Sequence, residues 1–435
     1  MRWRTGYTMK RRELLTGAAG LGIAETASAA APVKTMKGVP FERHEKVRIG
    51  FVGVGGRGSG LLNDLLNIPG VEIKAICDLR KENADRAATR VERAGQPRPE
   101  LYTGTETIFE KLCARTDLDL VYNATPWDWH VPIAVSAMEH GHHAAVEVPA
   151  ANTLKDCWKL VDTSEKTRKH CIQLENCCYG ASELMVLQMV KAGLLGDLTH
   201  GEAAYIHDLR SLLLADASEG LWRREPHKKR DANLYPTHGL GPVAKYMDIH
   251  KGDRFERIVS LSSKEASLTA YRDKTIPAGN PKRAEKYVCG DMNTSIIRTV
   301  LGRTIMLQHT VVTPRPYSRL NLIQGTKGAF SDYPARIYLD EWGNDEWRAL
   351  DTMKEQWEHP LWKKEGDTAR KLGGHGGMDY LMSYSLIECM KQGVPPQMDV
   401  YDAAAWSAPF PLSELSVKKG GSAIVFPDFT RGNWK

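Results

Sequence analysis

The chain has 435 residues, 42% of them hydrophobic and 26% charged, an ordinary globular composition and more than one hydrophobic core usually organises. No run approaches the roughly 18 consecutive apolar residues that cross a bilayer, which argues against a membrane span. Half of the net charge of +6 comes from Arg2, Arg4, Lys10, Arg11 and Arg12 against Glu13 and Glu25, and the remainder has no basic run of the kind that binds nucleic acid.

Residues 1–31 read as a twin-arginine export signal. Arg11-Arg12 precedes a weakly apolar Gly/Ala-rich stretch, and Ala27-Ser28-Ala29 supplies small residues for cleavage. The expected location is periplasmic, or otherwise exported by that route; the plainer alternative is a disordered Ala-rich tail. Eight cysteines lack C-x-x-C pairing and zinc-site spacing, so free thiols and no metal are expected.

Val47–Val52 is a β-rich apolar run that leads into Gly53-Val54-Gly55-Gly56-Arg57-Gly58, then a helical pattern, then a strand Val71–Cys77 closed by Asp78. Alone, G-x-G-x-x-G is weak, but between strand and helix it forms a dinucleotide site. Gly53 permits the turn, Gly55 the approach of a pyrophosphate and Gly58 close helix packing. Gly56 and Arg57 are counted among the cofactor contacts, Arg57 as a side chain within reach of a phosphate, and the helix N-terminus attracts phosphate. Asp78, 20 residues after Gly58, suits the ribose hydroxyls and would repel a 2′-phosphate, so NAD is the expected cofactor.

The alternation continues. Helices are expected over Thr105–Arg115, His130–His140 and Thr153–Lys169, and strands over Leu118–Asn123, His143–Glu147 and Ile172–Leu174. Ligands of such a sheet gather at the strand ends, which draws notice to Ala124–His130, Glu147-Val148-Pro149 and Glu175–Tyr179. After Gly196-Asp197 come longer alternating strands: Leu198–Ile206, Ile258–Leu261, Asn293–Thr299, Thr304–Val311, Leu320–Gln324 and Ile337–Leu339. A helix follows Gly239, others cover Met378–Gln392 and Val400–Leu415, and the polar stretch Thr269–Lys286 reads as a mobile loop. The expected fold is α/β: a Rossmann doubly wound parallel sheet over 45–178, then an α+β substrate domain over 179–435 with a large open-faced, mainly antiparallel sheet. That open face suggests a homodimer or higher homo-oligomer.

These features resemble the glucose–fructose oxidoreductase/inositol dehydrogenase superfamily. Within it, Gly53–Gly58, Trp127-Asp128-Trp129-His130, Tyr205–Arg210 and Asn233-Leu234-Tyr235-Pro236-Thr237-His238-Gly239-Leu240-Gly241-Pro242 resemble glycosyl hydrolase family 109, the NAD-dependent α-N-acetylgalactosaminidases. Sugar dehydrogenases of the superfamily carry Glu-Lys-Pro where this chain has Glu147-Val148-Pro149, so their titratable lysine is missing.

The resemblance implies cleavage of a glycoside of N-acetylgalactosamine type by transient oxidation at C3, elimination, water addition and re-reduction by the same NAD. This departs from the two-carboxylate glycosidases. His238 is the first acid/base candidate, its plainer reading a core histidine. Tyr179 stands as the C2 base or a relay, or else a packing aromatic; Glu147 as a contact on the nicotinamide side, or a turn-stabilising carboxylate. Trp127–His130, Val148, Asn176 and Tyr235 are further cofactor contacts by resemblance. Tyr205, Arg223, Tyr235, Pro236, Thr237, His238 and Tyr317 are substrate contacts on the same ground. A sugar dehydrogenase with net redox turnover is the competing function, and a non-catalytic sensor the third.

Overall fold

The computed structural model describes residues 34–435; the expected export signal lies outside the described residues. Six parallel strands form the first sheet: β1 (Val47–Val52), β2 (Val71–Cys77), β3 (Glu100–Tyr102), β4 (Leu120–Asn123), β5 (His143–Val146) and β6 (Cys171–Gln173). Their order is β3-β2-β1-β4-β5-β6, all parallel, so the winding reverses between β1 and β4. A crevice opens at that reversal, outside the carboxyl ends of the strands. β1, β4 and β5 are buried almost throughout, which explains their unbroken apolar character.

Helices Gly56–Leu66, Lys81–Arg93, His130–Glu139 and Leu154–Thr167 cover this sheet. Thr153 caps the last, its hydroxyl accepting from the Asp156 N–H at 3.1 Å. Helix Lys81–Arg93 and the short β3 carry little sequence signal, because the helix buries only Ala84, Ala87, Ala88 and Val91. The expected helix Thr105–Arg115 shrinks to Phe109–Cys113. Gly104 turns the chain with φ +104°, and Thr105 and Glu106 face the crevice instead.

The second sheet has nine strands: β7 (Leu198–Ile206), β8 (Phe255–Ser262), β9 (Asn293–Thr299), β10 (Thr304–Thr310), β11 (Leu322–Gly325), β12 (Gly328–Ser331), β13 (Arg336–Leu339), β14 (Arg348–Ala349) and β15 (Ile424–Val425). The order is β14-β13-β12-β11-β7-β10-β9-β8-β15; only β7 and β10 pair in parallel. Helix Thr237–Tyr246 lies on β7, where a Cβ on Gly239 would come within 2.4 Å of the Ala204 backbone. On the opposite face Val259, Leu261 and Ile296 are exposed.

Two expectations are corrected. Thr269–Lys286 is no mobile loop: Ser267–Thr275 is helical, and Pro281–Ala284 forms a short 3₁₀ turn. Two of its cations are buried, Arg272 and Lys282, with Lys282 Nζ donating to Leu214 O at 2.5 Å and pairing with Asp216 at 2.7 Å. The helix expected over Val400–Leu415 is two, Val400–Ser407 and Pro409–Lys418, since Pro409 cannot continue the first ladder. An additional helix, Pro360–Leu372, precedes Met378–Gln392, which packs against Gly56–Leu66 and so brings C-terminal residues to the glycine turn. All eight cysteines are buried and free, and no helix among the described residues is long and apolar enough to cross a membrane.

Candidate active site

A cleft of about 480 Å³ runs from the glycine turn, past the ends of β1, β2, β4 and β5, to the end of β7. At the glycine turn each residue has a separable reason. Gly53 sits at φ +84°, and a Cβ there would meet the Ala124 carbonyl at 2.8 Å. A Cβ on Gly58 would approach the Gly53 oxygen to 1.8 Å. Around Gly55 a Cβ would meet nothing within 4 Å, so the backbone is open to a diphosphate. Asp78 accepts from the Val54 N–H at 2.9 Å through one oxygen, and from the Arg80 N–H and the Asn83 amide through the other. The carboxylate lines the cleft where a ribose diol would reach it, so these residues fit a dinucleotide.

The other end is aromatic. Trp127, Tyr205, Trp222 and Tyr235 wall it, with ring centroids 4.7 Å apart for Tyr205–Tyr235 and 5.2 Å for Trp127–Trp222. The Arg223 guanidinium lies 4.8 Å from the Tyr235 centroid and pairs with Glu219 at 2.5 Å. Val148, 2% exposed, packs among them.

Of the four imidazoles that line this cleft, two are tied to a buried carboxylate. His238 Nδ1 stands 2.7 Å from Glu175 Oε1. Burial pushes the Glu175 carboxyl up, but the charge and hydrogen bond of His238 outweigh it and hold it below its usual range. His375 Nδ1 stands 2.8 Å from Asp379 Oδ2. Asp379 is likewise opposed by burial, yet His375 and Arg57 hold it far below the carboxylate range. Cys177 Sγ lies near the first pair, the ligand-type atoms of Glu175, Cys177 and His238 falling within 4.8 Å of one another. Its thiol is pushed well up by burial and donates to Asn176 Oδ1, so the trio reads as a hydrogen-bonded set rather than a metal centre.

The model of the glycosyl hydrolase 109 C-terminal domain matches residues 179–435, and that of an oxidoreductase family with an NAD-binding Rossmann fold matches 47–174. The chain belongs to glycosyl hydrolase family 109. A family 109 protein of Solibacter usitatus is 55% identical over 428 residues, covering 98% of both chains. One of Saccharopolyspora erythraea is 51% identical over 438 residues, covering 98% of this chain and 94% of the other. Among solved structures, a levoglucosan dehydrogenase in complex with NADH and L-sorbose superposes with a TM-score of 0.69 at 18% identity, covering 88% of this chain and all of that one. An oxidoreductase domain protein from Kribbella flavida gives the same values, and both show the shared fold. The Rossmann half is an NAD-binding domain and NAD is its cofactor.

In this family 109 chain, Gly53, Gly55, Gly56, Arg57, Asp78, Trp127, Trp129, His130, Glu147, Val148, Tyr205, Arg223, Tyr235 and His238 all line the one cleft. Gly58 lies behind it as a packing residue. Arg57 is not a free phosphate ligand: its guanidinium pairs with Glu147 at 2.8 Å and Asp379 at 2.5 Å. Both nitrogens of the buried His130 ring lie 2.8 Å from carbonyl oxygens, those of Thr125 and Pro149, which makes it a brace between strand ends.

Other expected contacts fall elsewhere. Tyr179 faces away from the cleft. The turn Asn176–Tyr179 packs on helix Met378–Gln392, the ring lies 5.6 Å from Lys245 Nζ, and burial pushes its hydroxyl well up. Asn176 is buried, its amide donating to Asp379 Oδ1 at 2.7 Å. Asp128 is exposed and accepts from the Asn152 amide. Pro236 and Thr237 are buried at the helix start and shape the site only by placing His238. Tyr317 adjoins the cleft, its ring 5.1 Å from that of His207 and 6.2 Å from that of Tyr205, both of which line it.

The sequence reading missed Glu175 as the partner of His238, and also His207, Glu219, Trp222, His375 and Asp379. One signal for His375 was present: Gly373-Gly374-His375-Gly376-Gly377 frames a histidine at φ +47° with four glycines.

Proposed function

We propose that this protein is a glycosidase that removes terminal α-linked N-acetylgalactosamine, or cleaves a related glycoside, with NAD retained through the cycle. The observation that carries the reading is the pair of imidazole–carboxylate couples, His238–Glu175 and His375–Asp379, on one cleft with the glycine turn. Val148, where a sugar dehydrogenase has lysine, supports it.

NAD, when bound, supplies reversible hydride removal at C3 of the sugar, and the C3 ketone makes the C2 hydrogen acidic enough for elimination. The chain's own residues orient the sugar and handle protons. Trp127, Tyr205 and Tyr235 offer ring faces to the pyranose, and Arg223 offers fixed donors to its polar substituents. His238, locked through Nδ1, presents Nε2 to take and return the proton of the C3 hydroxyl. His375 has a half-exposed side chain on a glycine-framed loop, which suits taking the C2 proton, passing it to the departing oxygen and exchanging with water. Glu147 and Asp379 fix Arg57 and with it the glycine turn.

Incubating the purified protein with an aryl α-N-acetylgalactosaminide, without added cofactor, tests this reading. Release of the aglycone without NADH accumulation is expected. Stoichiometric NADH build-up would replace it with a dehydrogenase. Export by the twin-arginine route and pairing of two copies through the open sheet face belong to the same proposal, the latter supported by exposed Val259, Leu261 and Ile296.

A further inference from the structure

The connection that follows β7 does not stay on its own sheet. Its 3₁₀ turn, Ser218–Leu221, reaches the glycine turn of the first sheet, where a Cβ on Gly56 would stand 3.3 Å from Ser218 Oγ. From there the chain turns toward the aromatic end: the Trp222 ring lies 5.2 Å from that of Trp127, and the Arg223 guanidinium 4.8 Å from that of Tyr235. Ser218, Glu219, Leu221, Trp222 and Arg223 all line the cleft. One short segment after β7 therefore borders it lengthwise, from the diphosphate end to the aromatic end.

The roots of this segment are fixed. The buried Lys282 holds one of them, Nζ donating to Leu214 O at 2.5 Å and pairing with Asp216 at 2.7 Å. Arg224 Nη1 donates to Leu213 O at 2.7 Å and to Gly220 O at 3.2 Å, and its guanidinium pairs with Glu285 at 2.9 Å. The turn has no slack, since a Cβ on Gly220 would strike the carbonyl oxygens of Leu212 and Ala215. Between these anchors Leu221 is 50% exposed, and Leu79, next to Asp78, is 54% exposed on the same cleft. A dinucleotide lying from the glycine turn to the aromatic end takes such apolar surface out of water, and a segment already held in place loses little freedom in the process.

We propose that Ser218–Trp222 is a clasp that retains NAD, with Ser218 at the diphosphate, Leu221 over the cofactor, and Lys282 and Arg224 as positioning residues. NAD leaves only when this segment lifts, so its dissociation rate is set here and not at the glycine turn alone. The clasp also gives a task to the polar stretch Thr269–Lys286, whose Lys282 and Glu285 hold the roots. It rests on the part of the proposed function that keeps NAD bound through the cycle.

The test is the rate at which isotope-labelled NAD in the purified holoenzyme exchanges for excess unlabelled NAD, read after rapid gel filtration. Leu221 is exposed, so its exchange leaves the core undisturbed. Leu221→Ser is expected to raise the rate about tenfold, the size of one lost apolar contact, and Leu221→Met to keep it near wild type. Lys282→Met should also raise it. Because both changes act on one segment, the double variant should exceed the larger single effect by less than about twofold. A rate within about twofold of wild type in Leu221→Ser, with slow exchange in the wild type, overturns the clasp alone. Single effects that multiply in the double variant overturn the role of Lys282. Wild-type exchange within seconds overturns both the clasp and the retention of NAD on which it rests.

Discussion

His238 is anchored by Glu175: Nδ1 stands 2.7 Å from a carboxylate oxygen with no exposed surface. An ionised Glu175 keeps the hydrogen on Nδ1 and leaves Nε2 as the acceptor on the cleft, the orienting logic of base-and-carboxylate pairs in other hydrolases. Glu175→Gln should therefore lower kcat by about 100-fold or more with the bound NAD content unchanged. Steady-state rates with absorbance of the released cofactor check it; a kcat within about threefold of wild type would remove Glu175 from the mechanism.

Gly55 is the one fingerprint glycine whose missing Cβ leaves empty space, at φ −71°. A larger side chain there fits the fold but fills the approach to the diphosphate. Gly55→Val is expected to purify folded, by circular dichroism, and without NAD. Full NAD occupancy in that variant would place the cofactor elsewhere.

Asp64 is 3% exposed on the helix that follows the glycine turn, and burial, with Asp379 nearby, raises its carboxyl to about 7. Below roughly pH 4 both folded and unfolded forms are protonated; above it the unfolded group ionises first, so stability falls between about pH 4 and 7 and stays lost beyond. Asp64→Asn should raise the melting temperature at pH 8 and leave it unchanged at pH 4, with a ceiling of about 4 kcal/mol at the higher pH. Equal effects at both pH values would show that ionisation is not the cause.

Tyr179 was a reasonable base on paper, but its ring packs away from the cleft, against helix Met378–Gln392. Tyr179→Phe should keep kcat within about threefold and cost at most about 1 kcal/mol of stability. A loss of several hundredfold in kcat would bring the hydroxyl back into the chemistry.

What the sequence by itself determined was local. Alternating helix and strand periods set the parallel sheet, the spacing from Gly53 to Asp78 set the nucleotide site, and Asn233–Gly239 marked the histidine at the head of its helix. These rest on contacts between chain neighbours, for which spacing is geometry. Only the tertiary structure decided the pairings. Glu175 meets His238 across 63 positions, and Arg57 meets Asp379 across 322. It also decided that the polar stretch Thr269–Lys286 buries Arg272 and Lys282, and which way the Tyr179 ring turns. Hydrophobic periodicity says which face of an element is covered, but not by what. A side chain at a strand end takes its direction from whatever the distant chain packs against it.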